Sequence, residues 1–143
     1  MNEMFAWTFL GGRRVIKTIS ATAGNVVTDL SPGDGKRWLV LFGRITLTTD
    51  ATVANRKISY YLRDGSGDTN FLGASNAIPE NSTGVFNLHQ HYEKSSNVGE
   101  GGEDHIGVGL ILLEDSDQLR ITISNGQAGD SYSGKIVVLE VDV

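Results

Sequence analysis

The stretch that most limits what this chain can become is residues 36–64. Residues 37–48 are rich in β-branched, aromatic and aliphatic side chains and contain no proline, which is the composition of a strand. Residues 56–63 alternate: Ile58, Tyr60 and Leu62 fall on one side, Lys57, Ser59, Tyr61 and Arg63 on the other. A period of two places every second side chain on one face of a pleated strand. Between them, residues 49–55 are short and polar enough to reverse the chain. The pattern predicts a long hairpin at the centre of a sheet.

The rest of the chain repeats the theme. Residues 14–20 set Val15, Lys17 and Ile19 against Arg14, Ile16 and Thr18, and residues 23–30 form a weaker strand closed by the turn cluster Ser31-Pro32-Gly33-Asp34-Gly35. A short strand follows the hairpin at residues 69–73, and residues 74–83, with Pro79, read as loop. In residues 84–92, Val85, Asn87, His89 and His91 share one face, and Phe86, Leu88, Gln90 and Tyr92 the other. Residues 94–104, glycine-rich and acidic, read as a solvated loop. Residues 105–113 form one strand in which Gly107 and Gly109 mark a bulge or close packing. Leu119, Ile121 and Ile123 align in residues 118–124; Asn125-Gly126 opens a turn. The last strand, residues 135–143, aligns Val137, Leu139, Val141 and Val143. Eight or nine strands separated by turns, with no convincing helix, predict an all-β protein. The preferred arrangement is a β-sandwich, jelly-roll-like.

Residues 4–10, Met-Phe-Ala-Trp-Thr-Phe-Leu, pack three aromatics ahead of Gly11-Gly12. They form either a first strand or an arm that docks on a neighbouring subunit. The expected division is residues 1–12 as arm or first strand with its Gly-Gly hinge, and residues 13–143 as a single β-sandwich domain. Met4, Phe5, Trp7, Phe9 and Leu10 are the candidate interface anchors, because Trp and other large apolar groups dominate interface energetics.

A chain of 143 residues buries about 70% of its unfolded surface and needs no covalent staple. It has no cysteine, which removes disulfides, thiolate metal sites and cysteine nucleophiles together. Twelve basic against 17 acidic side chains give a formal charge of −5, a poor balance for binding nucleic acid. No stretch reaches the length of a membrane span. Glu3 and the short apolar run before Gly11 do not suit a signal peptide.

His89-x-His91-x-Glu93 is the best enzyme-like signal. On a strand these positions share a face, with neighbouring imidazoles about 6–7 Å apart, and His105 could add a ligand from another strand. The order Gly84, His89, His91, Glu93, Gly99 resembles the cupin motif. It departs from that motif because Glu93 follows His91 too closely and the second motif is missing. The competing reading makes His89 and His91 polar, outward residues opposite Phe86 and Leu88. Residues 64–70 look like a calcium loop, yet an EF-hand would need glycine at Thr69 and glutamate at Ser75, so a hairpin turn fits better. No Gly-x-Ser-x-Gly elbow, P-loop or dinucleotide fingerprint is present. The expectation is no catalytic residue, no metal and no cofactor.

Residues 37–56, a hydrophobic strand ending in Thr48-Thr49, a turn through Ala51, Thr52 and Val53, then Asn55-Arg56, resemble a segment recurring in small β-rich virion structural proteins of tailed bacteriophages. The resemblance implies a capsid decoration (cement) protein. Such a protein assembles as a symmetric homo-oligomer, commonly a trimer, on the major capsid protein at the outside of a phage head. It is made in the host cytoplasm and binds neither nucleic acid nor membrane. The alternatives are a cupin-like metal-dependent enzyme or sugar-binding module using His89, His91 and Glu93, or a phage tail or receptor-binding protein.

Overall fold

The computed structural model of the chain describes residues 11–24, 26–67, 69–89, 103–107 and 110–143. Ten strands run through them: β1 (Arg13–Thr22), β2 (Val26–Leu30), β3 (Lys36–Thr48), β4 (Lys57–Arg63), β5 (Thr69–Ala74), β6 (Thr83–His89), β7 (Glu103–Gly107), β8 (Ile111–Leu113), β9 (Gln118–Ser124) and β10 (Ser131–Asp142). The strand expected over residues 105–113 is in fact two. Its first half, β7, lies parallel to β6, while its second half, β8, runs antiparallel to the start of β3.

The strands form two sheets, ordered β1-β10-β3-β6-β7, with β8 also on β3, and β2-β9-β4-β5. The antiparallel pairs β1–β10, β2–β9, β3–β6 and β4–β5 are nested one inside the next. Successive pairs belong to alternate sheets. A ribbon of nested pairs rolled up in this way is a jelly roll, in agreement with the fold class expected.

The hairpin expected over residues 36–64 does not form. β3 pairs with β10 along one edge and with β6 and β8 along the other, so neither edge is open to β4. β4 sits in the second sheet between β9 and β5. Residues 49–56 therefore cross from one sheet to the other. The physical reason is that alternation specifies which face of a strand is buried and leaves its edge partner open. Ile45 and Leu47 of β3 and Ile58 and Tyr60 of β4 are all buried, and they meet across the sandwich as parts of one core.

That core is filled from both sheets by Trp38, Ile45, Leu47, Phe86, Leu88, Leu113, Ile136 and Val138 on one side and Ile58, Tyr60, Leu119, Ile121 and Ile123 on the other. Fully burying each aliphatic or aromatic side chain stabilises the fold by about 1.5–3 kcal/mol. Leu119, Ile121 and Ile123 face inward as the sequence pattern predicts. The loop of residues 75–82 hides an apolar anchor that the pattern missed. Ile78 is 1% exposed, and its backbone exchanges two hydrogen bonds with Arg56, at 2.8 and 2.9 Å.

Candidate interaction surface

Each sheet of a sandwich has one face turned to the core and one turned away, and here the two outward faces differ in chemistry. On the second sheet the register brings Asp29 opposite Arg120 and Thr122 opposite Ser59, with Lys57, Tyr61 and Arg63 on the same side of β4. That face is largely polar and charged; its exposed apolar members are Val27 and Phe71, the latter edge-on to Tyr61 at 5.6 Å.

The first sheet splits along its length. Where β3 ends, its outward face carries Arg44, Thr46 and Thr48 beside Lys135, Ser133 and Ser131. Past the bulge near Val137 the register puts Ile16 beside Val137, Val137 beside Phe42, and Leu139 beside Leu39. Leu112 of β8 continues the row next to Leu39. Ile16, Phe42 and Leu112 are exposed. Leu39 and Val141 form a second apolar cluster, separate from the core, with Leu41 and Leu139 packed against them. The alignment of Val137, Leu139 and Val141 read in the sequence is therefore real but serves the outward face; β10 turns Ile136, Val138 and Glu140 inward. Gly12 enters at this place. A Cβ there would lie 2.8 Å from Leu139 Cγ and 3.0 Å from Val141 Cγ1, so only glycine lets the backbone come down onto these side chains.

Two ion clusters close the ends of the sandwich. At one, Arg56 is completely buried. Its Nε and Nη2 donate to the two carboxylate oxygens of Asp130 at 2.8 Å each, Nη2 also donates to Asp50 at 2.6 Å, and Nη1 donates to the carbonyls of Thr52 and Ala54 at 2.8 and 2.7 Å. Every N–H of the guanidinium is thereby used. Burial pushes the Asp130 carboxyl up. The Arg56 hydrogen bonds, with backbone N–H groups of Gln127 and Asp50, more than offset this and hold it below its ordinary value.

At the other end Glu140 is 4% exposed. It accepts from Arg13 Nη2 at 2.7 Å, Lys36 Nζ at 3.0 Å and Trp38 Nε1 at 2.8 Å, while Lys17 Nζ lies 3.9 Å away and 4.7 Å from the centre of the Trp38 ring. The Arg13 hydrogen bond, working against burial and helped by Trp38 and Lys36, brings the Glu140 pKa down to about 2. Both clusters are saturated with partners and tie strands together. Sequence reasoning passed over them because their members lie up to 127 residues apart.

The candidate anchors Met4, Phe5, Trp7, Phe9 and Leu10 lie outside the described residues, as do His91, Glu93 and Gly99. His89 stands on the outward face of β6, opposite Phe42 on one side and Gly107 on the other. His105 is placed opposite Asn87, so its register partner is not His89. Gly84 has a packing reason, since a Cβ there would fall 2.2 Å from Ile78 Cδ1. Among the described residues no group of three or more His, Cys, Asp or Glu side chains is placed to hold a metal. The calcium-like stretch is the β4–β5 turn: Ser66 N and Oγ both donate to Asp64 Oδ1, at 3.0 and 2.6 Å, and Gly67 supplies a φ of 95°.

No protein-family model and no curated protein matches this chain. Among solved structures, the prophage-derived protein YomS of SPBc2 is 11% identical, with a TM-score of 0.42, over 90% of this chain and 94% of its own. The structure of infectious bursal disease virus strain Gt gives 13% identity and a TM-score of 0.38 over 92% of this chain, which spans about a third (31%) of that longer one. The acid-stable capsid of Helicobacter pylori bacteriophage KHP30 gives 10% identity and a TM-score of 0.34, covering 92% of this chain and 99% of that one. Likeness at this level carries no argument about what the present chain does.

Proposed function

We propose that this chain is a structural protein of a virion, of the capsid decoration type, that works by adhesion and performs no chemistry. The fold alone does not choose this, since capsid proteins, lectins and cupins are all built on jelly rolls. The observation that carries the reading is the exposed apolar row Ile16, Phe42 and Leu112 on the first sheet's outward face, beside the partly buried Leu41 and Leu139 and set against polar surface on the rest of that face and on most of the second sheet. A contiguous apolar patch rimmed by polar residues marks a surface that meets another macromolecule. The resemblance of residues 37–56 to phage virion proteins supports the same choice.

On this reading the protein assembles as a symmetric homo-oligomer, a trimer, on a major capsid protein lattice. Met4, Phe5, Trp7, Phe9 and Leu10 supply apolar contact energy, and closed symmetry multiplies weak contacts. A decoration protein stabilises a shell by binding the assembled lattice better than dispersed subunits, so its effect equals that difference in affinity.

The test is electron microscopy of native particles together with a binding assay using the full chain and a variant lacking residues 1–10. Density for this protein on the shell exterior, and weakened binding by a truncated chain that still folds, is the expected result. A monomer that binds no particle and turns over a small-molecule substrate would overturn the reading.

A further inference from the structure

The apolar row on the first sheet is bracketed by charges of one sign. Arg14 stands opposite Leu139, Ile16 opposite Val137 and Thr18 opposite Lys135. Arg14 and Lys135 therefore close the two ends of a row that holds Leu139, Ile16 and Val137. Phe42 widens the row beside Val137, and Arg44 stands across from Lys135. Both bracketing cations are exposed, as are Ile16 and Phe42. In the described register no acid stands opposite either cation: Lys135 faces Thr18 and Arg44, and Arg14 faces Leu139. The acids of this outward face lie elsewhere. Glu114 is held by Arg37 at 3.3 Å at one end, and Glu103 stands opposite Val85 on the edge strand β7. A chain of 17 acidic and 12 basic side chains has thus set cations at both ends of its apolar row.

We propose that this face docks on a protein surface that sets carboxylates on both sides of an apolar contact, one meeting Arg14 and the other Lys135. At about 3.4 Å per residue, the four residues from Leu139 to Lys135 span about 13 Å, which those carboxylates must match. On an extended partner segment this is the spacing of positions i and i+4, with an apolar residue on the same side at i+2. Charge decides against a second copy of this chain, because like charges brought together across an interface reject the partner. Its first-sheet face would set cation on cation. Its second-sheet face offers Lys57, Arg63 and Arg120 against one acid, Asp29, already bonded to Arg120. That sheet also lacks an apolar centre, since its exposed Val27 and Phe71 lie on β2 and β5 at opposite edges. A phosphate polymer answers the cations alone and leaves the apolar row uncovered.

The inference deepens the functional reading and rests on it for one point, that the protein carrying those carboxylates belongs to the capsid lattice. The apolar row supplies the contact energy. The cations fix which way round the domain sits, because exposed charges govern register and approach more than affinity.

The test uses the full chain and two synthetic peptides, one repeating Glu-Thr-Leu-Thr-Glu and the other Lys-Thr-Leu-Thr-Lys, with amide shifts followed by NMR. The acidic peptide should move residues 14–18, 39–44 and 135–139, leave residues 57–63 unmoved, and bind more weakly as salt is added. Arg14→Glu combined with Lys135→Glu should weaken it about tenfold, the scale of two exposed ion pairs, and admit the Lys peptide instead. Lys57→Glu on the second sheet should change nothing. The wild-type chain alone must discriminate the two peptides, so the test stands even where the double variant folds poorly. No binding, equal binding of both peptides, or shifts confined to the second sheet overturns the proposal. So do stronger shifts of the same residues with phosphatidylserine vesicles or duplex DNA, which would assign the face to a membrane or a nucleic acid. Shifts there that grow with protein concentration alone would assign it to a second copy and overturn it equally. A chain that binds the acidic peptide but no particle counts against the virion reading and leaves this inference standing. One that adheres to particles but binds no peptide strikes this inference alone.

Discussion

At one end of the sandwich a buried cation, Arg56, is enclosed by two acids; at the other a buried acid, Glu140, is enclosed by three cations and an indole N–H. The signs are reversed, and so is the state of the partners. Arg56 has 0% side-chain exposure and its bidentate partner Asp130 2%, while its second acid, Asp50, is 24% exposed. The cations around Glu140 stand in water: the Arg13 side chain is 71% exposed and Lys36 31%. A buried charge whose principal partner is itself buried depends on that partner, because water cannot take its place when it is lost. A buried charge with solvated partners is held redundantly.

The largest expected effect tests the closed end. Asp130→Ala removes the bidentate partner of Arg56 and leaves a guanidinium in the interior with Asp50 as its remaining acid. Breaking a buried pair from one side costs about 3–5 kcal/mol, and denaturant unfolding should read a loss of that size. A loss under about 1 kcal/mol, the range of exposed ion pairs, would mean that water reaches the site and that the contrast between the two ends is false.

A smaller effect is expected at the open end. Glu140→Gln gives up the charge and one of the two acceptor oxygens, so the amide oxygen serves either Trp38 or the Arg13–Lys36 side while an NH2 faces the other, and should cost about 1–3 kcal/mol, the scale of one charged hydrogen bond. The accompanying pH dependence has a definite sign. The Glu140 pKa falls from 4.5 to about 2 on folding. The unfolded state therefore takes up the proton first, and the stabilisation is complete above about pH 4.5 and disappears as pH drops to about 2. Acid unfolding of the wild type over that window should be steeper than that of Glu140→Gln. Equal slopes would remove Glu140 from the account.

These two clusters also mark where the sequence stopped being readable. The inward faces of β4, β6 and β9 follow from alternation alone, because Ile58 and Tyr60, Phe86 and Leu88, and Leu119, Ile121 and Ile123 each repeat at a period of two. Edges were another matter. The partner of β3 is decided by which nested pair closes around it, and the stretch between β3 and β4 looks like a turn in sequence although it crosses between sheets. Arg56 and Glu140 read as ordinary polar members of alternating strands. Their burial depends on Asp130, 74 residues from Arg56, and on Arg13, 127 residues from Glu140, and no local pattern reports such pairs. The apolar outward face was half visible: the alignment of Val137, Leu139 and Val141 was plain, but which side of the sheet it occupied required the register with β3.

The smallest effect belongs to a pair that lies at neither end. Asp29 and Arg120 face each other on the outward side of the second sheet, with two parallel hydrogen bonds of 2.7 Å, and each side chain is 26% exposed. The Arg120 hydrogen bond outweighs partial burial and lowers the Asp29 pKa, so the pair's contribution holds above the ordinary aspartate range and is lost as pH falls below it. The geometry is that of the Arg56–Asp130 bond, bidentate and short, but the surroundings are wet. If burial of the partners sets the energy, a double-mutant cycle with Asp29→Ala and Arg120→Ala should give about 0.2–1 kcal/mol, shrinking as salt is added. A coupling as large as the one at Asp130 would show that hydrogen-bond geometry, with burial secondary, governs all three sites, and the distinction between the two ends would then have to be redrawn on bond count.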